Sequence, residues 1–214
     1  MVNLNVKTCR QPYGTSICGP CCVRMCAQYF GKKLSAQDAK QRCHCASSGS
    51  TETALALALN RMGLRGILYA IPTGGMFFGK YVGMPTKRVI ASLKTRAALT
   101  MDRLTTTELR EAAWLLEQDA IKFEFPGREC IERELRRGHP WIVSCLYYII
   151  SEEQERYGAE ITHFVVIQGY DKKHFIINDP VSGVRKVDKD LMQCAVYSAS
   201  SFEISAICVS NNRR

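Results

Sequence analysis

The sequence predicts an α+β protein: an N-terminal helical half carrying a reactive cysteine, packed on a C-terminal antiparallel β-sheet. Three observations carry this. The stretch Gln11-Pro-Tyr-Gly-Thr-Ser-Ile-Cys18-Gly-Pro is a polar loop that runs into an apolar segment of helical period. Residues 52–62 and 105–119 show the same period. After residue 140 the pattern becomes short apolar runs separated by turn residues, which reads as strands.

Taken in order, the first helix opens near Pro20, a residue suited to a first helical position. Val23, Met25, Cys26, Tyr29 and Phe30 form its buried stripe, and Gly31 stops it. Ser35-Ala-Gln-Asp38 resembles a capping box and opens a short helix to about residue 43. A polar loop, 46–51, leads to an Ala/Leu-rich helix over 52–62 ended by Gly63, with a strand within 64–71. Residues 72–85 are rich in glycine and carry aromatics that look exposed, so they read as a loop or as a flap over substrate. No Gly-Lys-Ser/Thr is present to make a phosphate cradle of it.

Residues 105–119 predict an amphipathic helix with a threonine cap, 121–125 a strand, and 129–137 a helix begun at Arg128 and closed by Gly138. A central strand is expected over 141–150. His139, held extended by Pro140, is expected to be structural. The acidic stretch 151–160 reads as a solvated connection. Past residue 180 come a turn, a short strand, a helix over 188–194, a final strand over 204–209 and a frayed tail.

Two of these stretches carry chemistry. Cys18 falls at a helix N-terminus, where unpaired N–H groups and the helix dipole favour thiolate over thiol. Cys21 and Cys22 would feel the same field and are alternative nucleophiles. The second stretch, His163-Phe-Val-Val-Ile-Gln-Gly-Tyr through Ile-Ile-Asn-Asp179-Pro, reads as a hairpin with strands at 164–167 and 174–178 and a turn at 169–173. Antiparallel pairing brings His163 and Asp179 side by side. Cys18, His163 and Asp179 thus supply a nucleophile, a base and an orienter, and Gln11 remains to donate to an oxyanion beside the Cys18 N–H. His174 is expected to face solvent.

Gln…Cys-Gly-Pro opening a helix, followed by His-Phe-Val-Val-Ile-x-Gly-Tyr…Ile-x-Asp-Pro, resembles the C39 and C39-like cysteine peptidases. The Gly138-His139-Pro140-Trp141-Ile142-Val143 stretch is similar as well. The resemblance implies a papain-like fold with the site in the cleft between its halves, and hydrolysis of a peptide or isopeptide bond by thioester chemistry. It implies no metal and no organic cofactor. The family places its glutamine one residue nearer the cysteine, and residues 71–130 form an insertion atypical of the minimal family domain. Acyl transfer or deamidation by the same triad, and a non-catalytic module that binds acidic peptides, are the alternative readings.

Composition bounds the rest. The 214 residues suit a single domain over 1–214, and a hydrophobic fraction of 46% with 23% charged residues is ordinary for a globular protein. No apolar run reaches the ~18–20 residues needed to span a bilayer, and residues 1–7 lack a signal-peptide core. The eleven cysteines are therefore expected to be reduced, in the cytoplasm or in a protein released by a signal-less route. Cys145, Cys194 and Cys208 are expected in the core. Cys18, Cys21, Cys22 and Cys26 with Cys43-His44-Cys45 form an alternative zinc-ligand set. The net charge of +9 is scattered rather than clustered, which reads as a solvated basic surface rather than a nucleic-acid face, with a basic rim that attracts an acidic peptide or protein substrate as the sharper alternative.

Overall fold

The computed structural model describes residues 1–72, 77, 79–124, 126–151, 161–199 and 203–211. A short strand β1 (Val2–Asn3) precedes the loop into helix α1 (Cys18–Tyr29), which buries Cys21, Cys22, Val23, Met25 and Cys26. Helix α2 (Ala36–Arg42) starts as its sequence requires: the Ser35 hydroxyl accepts from the Asp38 N–H at 3.0 Å. Thr51 caps α3 (Glu52–Arg61) in the same way, and the chain leaves that helix through Gly63 at φ +73°. Strand β2 (Leu64–Pro72) follows.

The glycine-rich stretch departs from its expected character. Phe77 and Tyr81 are fully buried, Tyr81 at the end of a 3-10 turn (Gly79–Tyr81), so these aromatics anchor the segment to the core instead of facing solvent. Residues 73–76 and 78, where a flap would lie, fall outside the described residues. Helix α4 (Thr86–Leu99) was not expected, although Val89, Leu93 and Ala97 mark its buried face at four-residue steps. It packs on α5 (Arg103–Glu117), which is capped by the Asp102 carboxylate rather than by a threonine. Asp102 wins because its oxygen reaches the Thr105 N–H at 2.6 Å.

Strand β3 (Ile121–Lys122) is shorter than expected, and Phe125 lies outside the described residues. Helix α6 (Arg128–Arg136) leads to β4 (Trp141–Leu146). The apolar run does not continue as strand to residue 150. At Tyr147 the chain turns into α7 (Tyr147–Ile150), and the Tyr147 N–H donates to the Ile161 carbonyl at 3.0 Å. The acidic stretch 152–160 lies outside the described residues. Then come β5 (Thr162–Tyr170), β6 (His174–Asp179), β7 (Gly183–Asp188), α8 (Lys189–Ser198) and β8 (Glu203–Asn211).

Among the described residues the strands form one sheet in the order β3-β2-β8-β4-β5-β6-β7, with β1 on β5. Only the β2–β3 pair is parallel. The last strand, β8, lies between β2 and β4, so the helical half contributes β2 to the same sheet. Side chains alternate between two buried layers. Ile142, Phe164 and Val166 face the core built with α1, α3 and α5, whereas Trp141, Val143, Val165 and Ile167 face α6 and α8.

The β5–β6 hairpin carries a bulge between Ile167 and Gly169, and β5 runs on to Tyr170, so the turn is shorter than the sequence suggested. A Cβ on Gly169 would sit 2.3 Å from the Val2 carbonyl oxygen, which is why glycine stands where β1 crosses. Among the described residues no helix is long and apolar enough to cross a membrane.

Candidate active site

Cys18 is the first residue of α1. Ile17 precedes it without a capping side chain, and no acidic residue occupies the first turn, so the positive end of the helix is not neutralised locally. Gly19 explains the tight seating of this end. A Cβ there would meet Leu55 of α3 at 3.0 Å and Phe164 of β5 at 3.3 Å. The glycine lets the turn that carries Cys18 press against the strand that carries the histidine. Cys18 itself is half-buried.

The hairpin supplies the rest. His163 and Asp179 sit on adjacent strands, and His163 Nε2 lies 2.9 Å from Asp179 Oδ1. The histidine is buried and the aspartate has no solvent exposure at all. With Nε2 engaged by the carboxylate, Nδ1 is the ring nitrogen left for the Cys18 thiol. The edge of Tyr147 packs on the imidazole, with ring centroids 4.6 Å apart, and limits its rotation.

Asp179 is itself held by groups that the sequence reading missed. Its Oδ1 also accepts from the Val181 N–H at 2.8 Å, and its Oδ2 accepts from the Ser182 hydroxyl at 2.6 Å. Arg185 donates through Nε to Ser182 at 3.1 Å, and its Nη2 stands 3.7 Å from Asp179 Oδ2. The third guanidinium nitrogen of Arg185, Nη1, is bonded to the Ile150 carbonyl. One signal for this cluster was present: Asp-Pro-Val-Ser favours an Asx-type turn. Nothing in the sequence marked Arg185, since β7 exposes Val184 while tucking Arg185 inward, the reverse of ordinary patterning.

The electrostatics follow from these contacts. Burial pushes the Cys18 thiol up, but the His163 hydrogen bond and charge, with the Phe164 and Gly19 N–H groups, bring it below its ordinary value. Burial alone would lower His163; its bonds to Asp179 and Cys18 raise it instead to about 9. Burial would raise Asp179, yet His163, Ser182 and Val181 hold it well below the usual carboxylate range. All three directions favour a thiolate–imidazolium pair backed by a carboxylate.

Gln11 reaches the same cleft. Its backbone N–H donates to the Pro180 carbonyl at 3.0 Å, which ties the loop before α1 to the turn after Asp179. Its side-chain Nε2 donates to the Thr15 carbonyl at 3.1 Å, leaving one amide hydrogen, while Oε1 is buried without a hydrogen-bond partner. Gln11 and His163 together line a cleft of about 490 Å³.

The other cysteines are differently placed. Burial pushes the Cys21 thiol up to about 11, and the fully buried Cys22, raised further by the same cause, donates to the Phe164 carbonyl at 3.3 Å. Both stay protonated, so neither competes with Cys18 as a thiolate. The cysteines around α1 do not meet Cys43, His44 and Cys45 as a ligand set. Among the described residues the one trio of metal-capable side chains is Glu134, His139 and Cys208. There Glu134 is engaged by Arg133, Arg137 and His139. His139 therefore has the structural role expected of it. His174 is less free than expected, bonded to Asp171 at 3.0 Å, and His44 pairs with Glu111. Cys145 and Cys208 are core residues, but Cys194 is exposed on α8.

No curated protein matches the sequence. Solved structures do. A double glycine motif protease from an AMS/PCAT transporter, solved in complex with the leader peptide, aligns over 98% of this chain and 94% of its own, at 16% identity and a TM-score of 0.51. A C39-like peptidase from Bacillus anthracis aligns over 99% of this chain and 98% of its own, at 13% identity and a TM-score of 0.54. At such identities the likeness is one of fold, and the fold is the α+β papain-like one. The sequence profile of the Peptidase_C39 like family matches residues 3–204, and the protein belongs to that family.

Proposed function

We propose that the protein is a cysteine peptidase that cleaves a peptide or isopeptide bond through Cys18, His163 and Asp179, with Gln11 as an oxyanion donor. The observation that carries this is the His163–Asp179 hydrogen bond set against a cysteine at a helix N-terminus whose thiol is lowered by that same histidine. The Cys18 thiolate attacks the carbonyl carbon. The tetrahedral oxyanion takes hydrogen bonds from the Cys18 N–H and the free amide hydrogen of Gln11. His163, protonated, delivers its proton to the leaving amine and leaves a thioester. Water then attacks with His163 as base, releasing the acid and restoring the thiolate. Asp179 holds the imidazole in the orientation both steps need. No cofactor takes part.

The substrate is a peptide or protein, and the +9 charge favours one with acidic segments beyond the cleft. All eleven cysteines are free thiols, which fits work in a reducing compartment such as the cytoplasm. We read residues 1–214 as one catalytic domain in which 71–130 is an addition built from α4 and α5. The test is cleavage of a peptide library by the purified protein beside Cys18→Ala. Products with new amino termini, absent with the variant, support the reading; equal or no cleavage by both refutes it.

A further inference from the structure

We propose that the protein selects its substrates on the leaving-group side of the scissile bond, through an aromatic-walled subsite that takes a large apolar side chain. The proposal rests on the thiol-peptidase reading above. His163 must hand its proton to the departing amine, so the residue that carries this amine lies beside His163. The cleft of about 490 Å³ opens there. Its walls come from the loop before α1, from α7, from the approach to β5 and from the turn after Asp179, contributing Tyr13, Tyr147, Ile161 and Val181.

Three features point to an apolar occupant. No Asp, Glu, Lys or Arg lines the cleft among the described residues, in a chain with 29 basic and 20 acidic residues. Apart from His163 itself, the described wall offers a charged side chain no fixed counter-charge to offset its lost hydration. Tyr13 is 83% and Ile161 49% exposed, so two large apolar side chains at the mouth present surface to solvent. The wall is also preformed: Tyr147 is buried against His163, and its N–H is bonded to the Ile161 carbonyl at 3.0 Å. The volume falls within the ~300–1,000 Å³ typical of binding pockets, enough for an aromatic side chain with adjoining main chain.

Nucleophile competition reads this subsite directly. The protein is acylated with an N-blocked diglycine thioester, chosen because its acyl part adds no side chain of its own. Water and an amino-acid amide then compete for the Cys18 thioester. In aminolysis His163 takes the amine proton, the new amide bond forms and the Cys18 thiolate departs, the reverse of peptide-bond cleavage. We expect phenylalaninamide and leucinamide to intercept the acyl-enzyme about tenfold or more better than glycinamide, with glutamic and lysine amides no better than glycinamide. In Tyr13→Ala, an exposed position, the preference should shrink several-fold. Equal interception by all five amides, or preference for a charged one, overturns the proposal while thioester hydrolysis stands. If hydrolysis itself does not exceed that of Cys18→Ala, the peptidase reading fails and the subsite falls with it.

Discussion

Nε2 of His163 lies 2.9 Å from Oδ1 of Asp179, across neighbouring strands and with the carboxylate wholly shut off from solvent. A buried carboxylate is retained only where donors offset its desolvation, and here the Val181 N–H, Ser182 and the imidazole do so. The pair therefore fixes which ring nitrogen faces Cys18. Asp179→Asn should keep the fold yet lower kcat/KM by about 10²–10⁴-fold, since the amide no longer stabilises the imidazolium. Steady-state kinetics beside a thermal melt checks it; loss of less than threefold in a folded variant would contradict the assigned role.

The pH dependence follows from the same contacts. On the proposed mechanism the active form needs the thiolate and the imidazolium together. Activity should rise on the acid side at a pH below the ordinary thiol value, because Cys18 is lowered, and fall on the alkaline side near pH 9, where His163 loses its proton. For stability, the raised His163 contributes fully below its ordinary 6.5, and that contribution is lost as pH rises through about 9. The depressed Asp179 contributes above the ordinary carboxylate pKa and is lost as pH falls below it. An alkaline limb at pH 6.5–7 in a kcat/KM profile would show that His163 is not paired as described.

Ser182 and Arg185 support Asp179 from behind. Ser182→Ala removes one donor to the carboxylate, and at this exposed position a loss of about 1 kcal/mol at pH 7 is expected. Because the bond serves the ionised form, the difference from wild type should close as pH falls and Asp179 is protonated. A double-mutant cycle read by urea unfolding at pH 7 tests the same dependence: Ser182→Ala should cost little in the Asp179→Asn background, and an undiminished loss there would assign Ser182 a role unrelated to the carboxylate.

Gly19 is the other fixed point. Its added methyl group would press on Leu55 at 3.0 Å and Phe164 at 3.3 Å. Gly19→Ala should cost about 1–3 kcal/mol of stability, and should slow Cys18 alkylation by displacing the helix start. Chemical denaturation and labelling rates, taken together, separate the two effects.

These relationships differ in how plainly the sequence announces them. Cys-Gly-Pro at the head of an apolar helical stripe places α1 and Cys18, and the alternation from His163 to Asp179 places the hairpin, because both depend on local spacing. The end of β4 at Leu146 was not legible, since Tyr147–Ile150 is as apolar as the strand it leaves and only the tertiary bond to Ile161 turns it. Phe77 and Tyr81 looked exposed because glycine surrounds them, yet the core reaches out to cover both. Gln11 was placed at the site, but the bond of its amide to Thr15 depends on a loop conformation that no spacing encodes. Arg185 was hidden for a similar reason: its role requires a strand to turn a charged face inward.

The central claim is that Cys18 alone among eleven cysteines rests as a thiolate held by His163. Substoichiometric iodoacetamide near pH 6, followed by intact mass and peptide mapping, tests it directly in the wild type, Cys18→Ala and His163→Ala. The account predicts one fast adduct, mapped to Cys18, whose advantage disappears in His163→Ala. Alkylation spread over exposed thiols such as Cys194, unaffected by loss of His163, would contradict it.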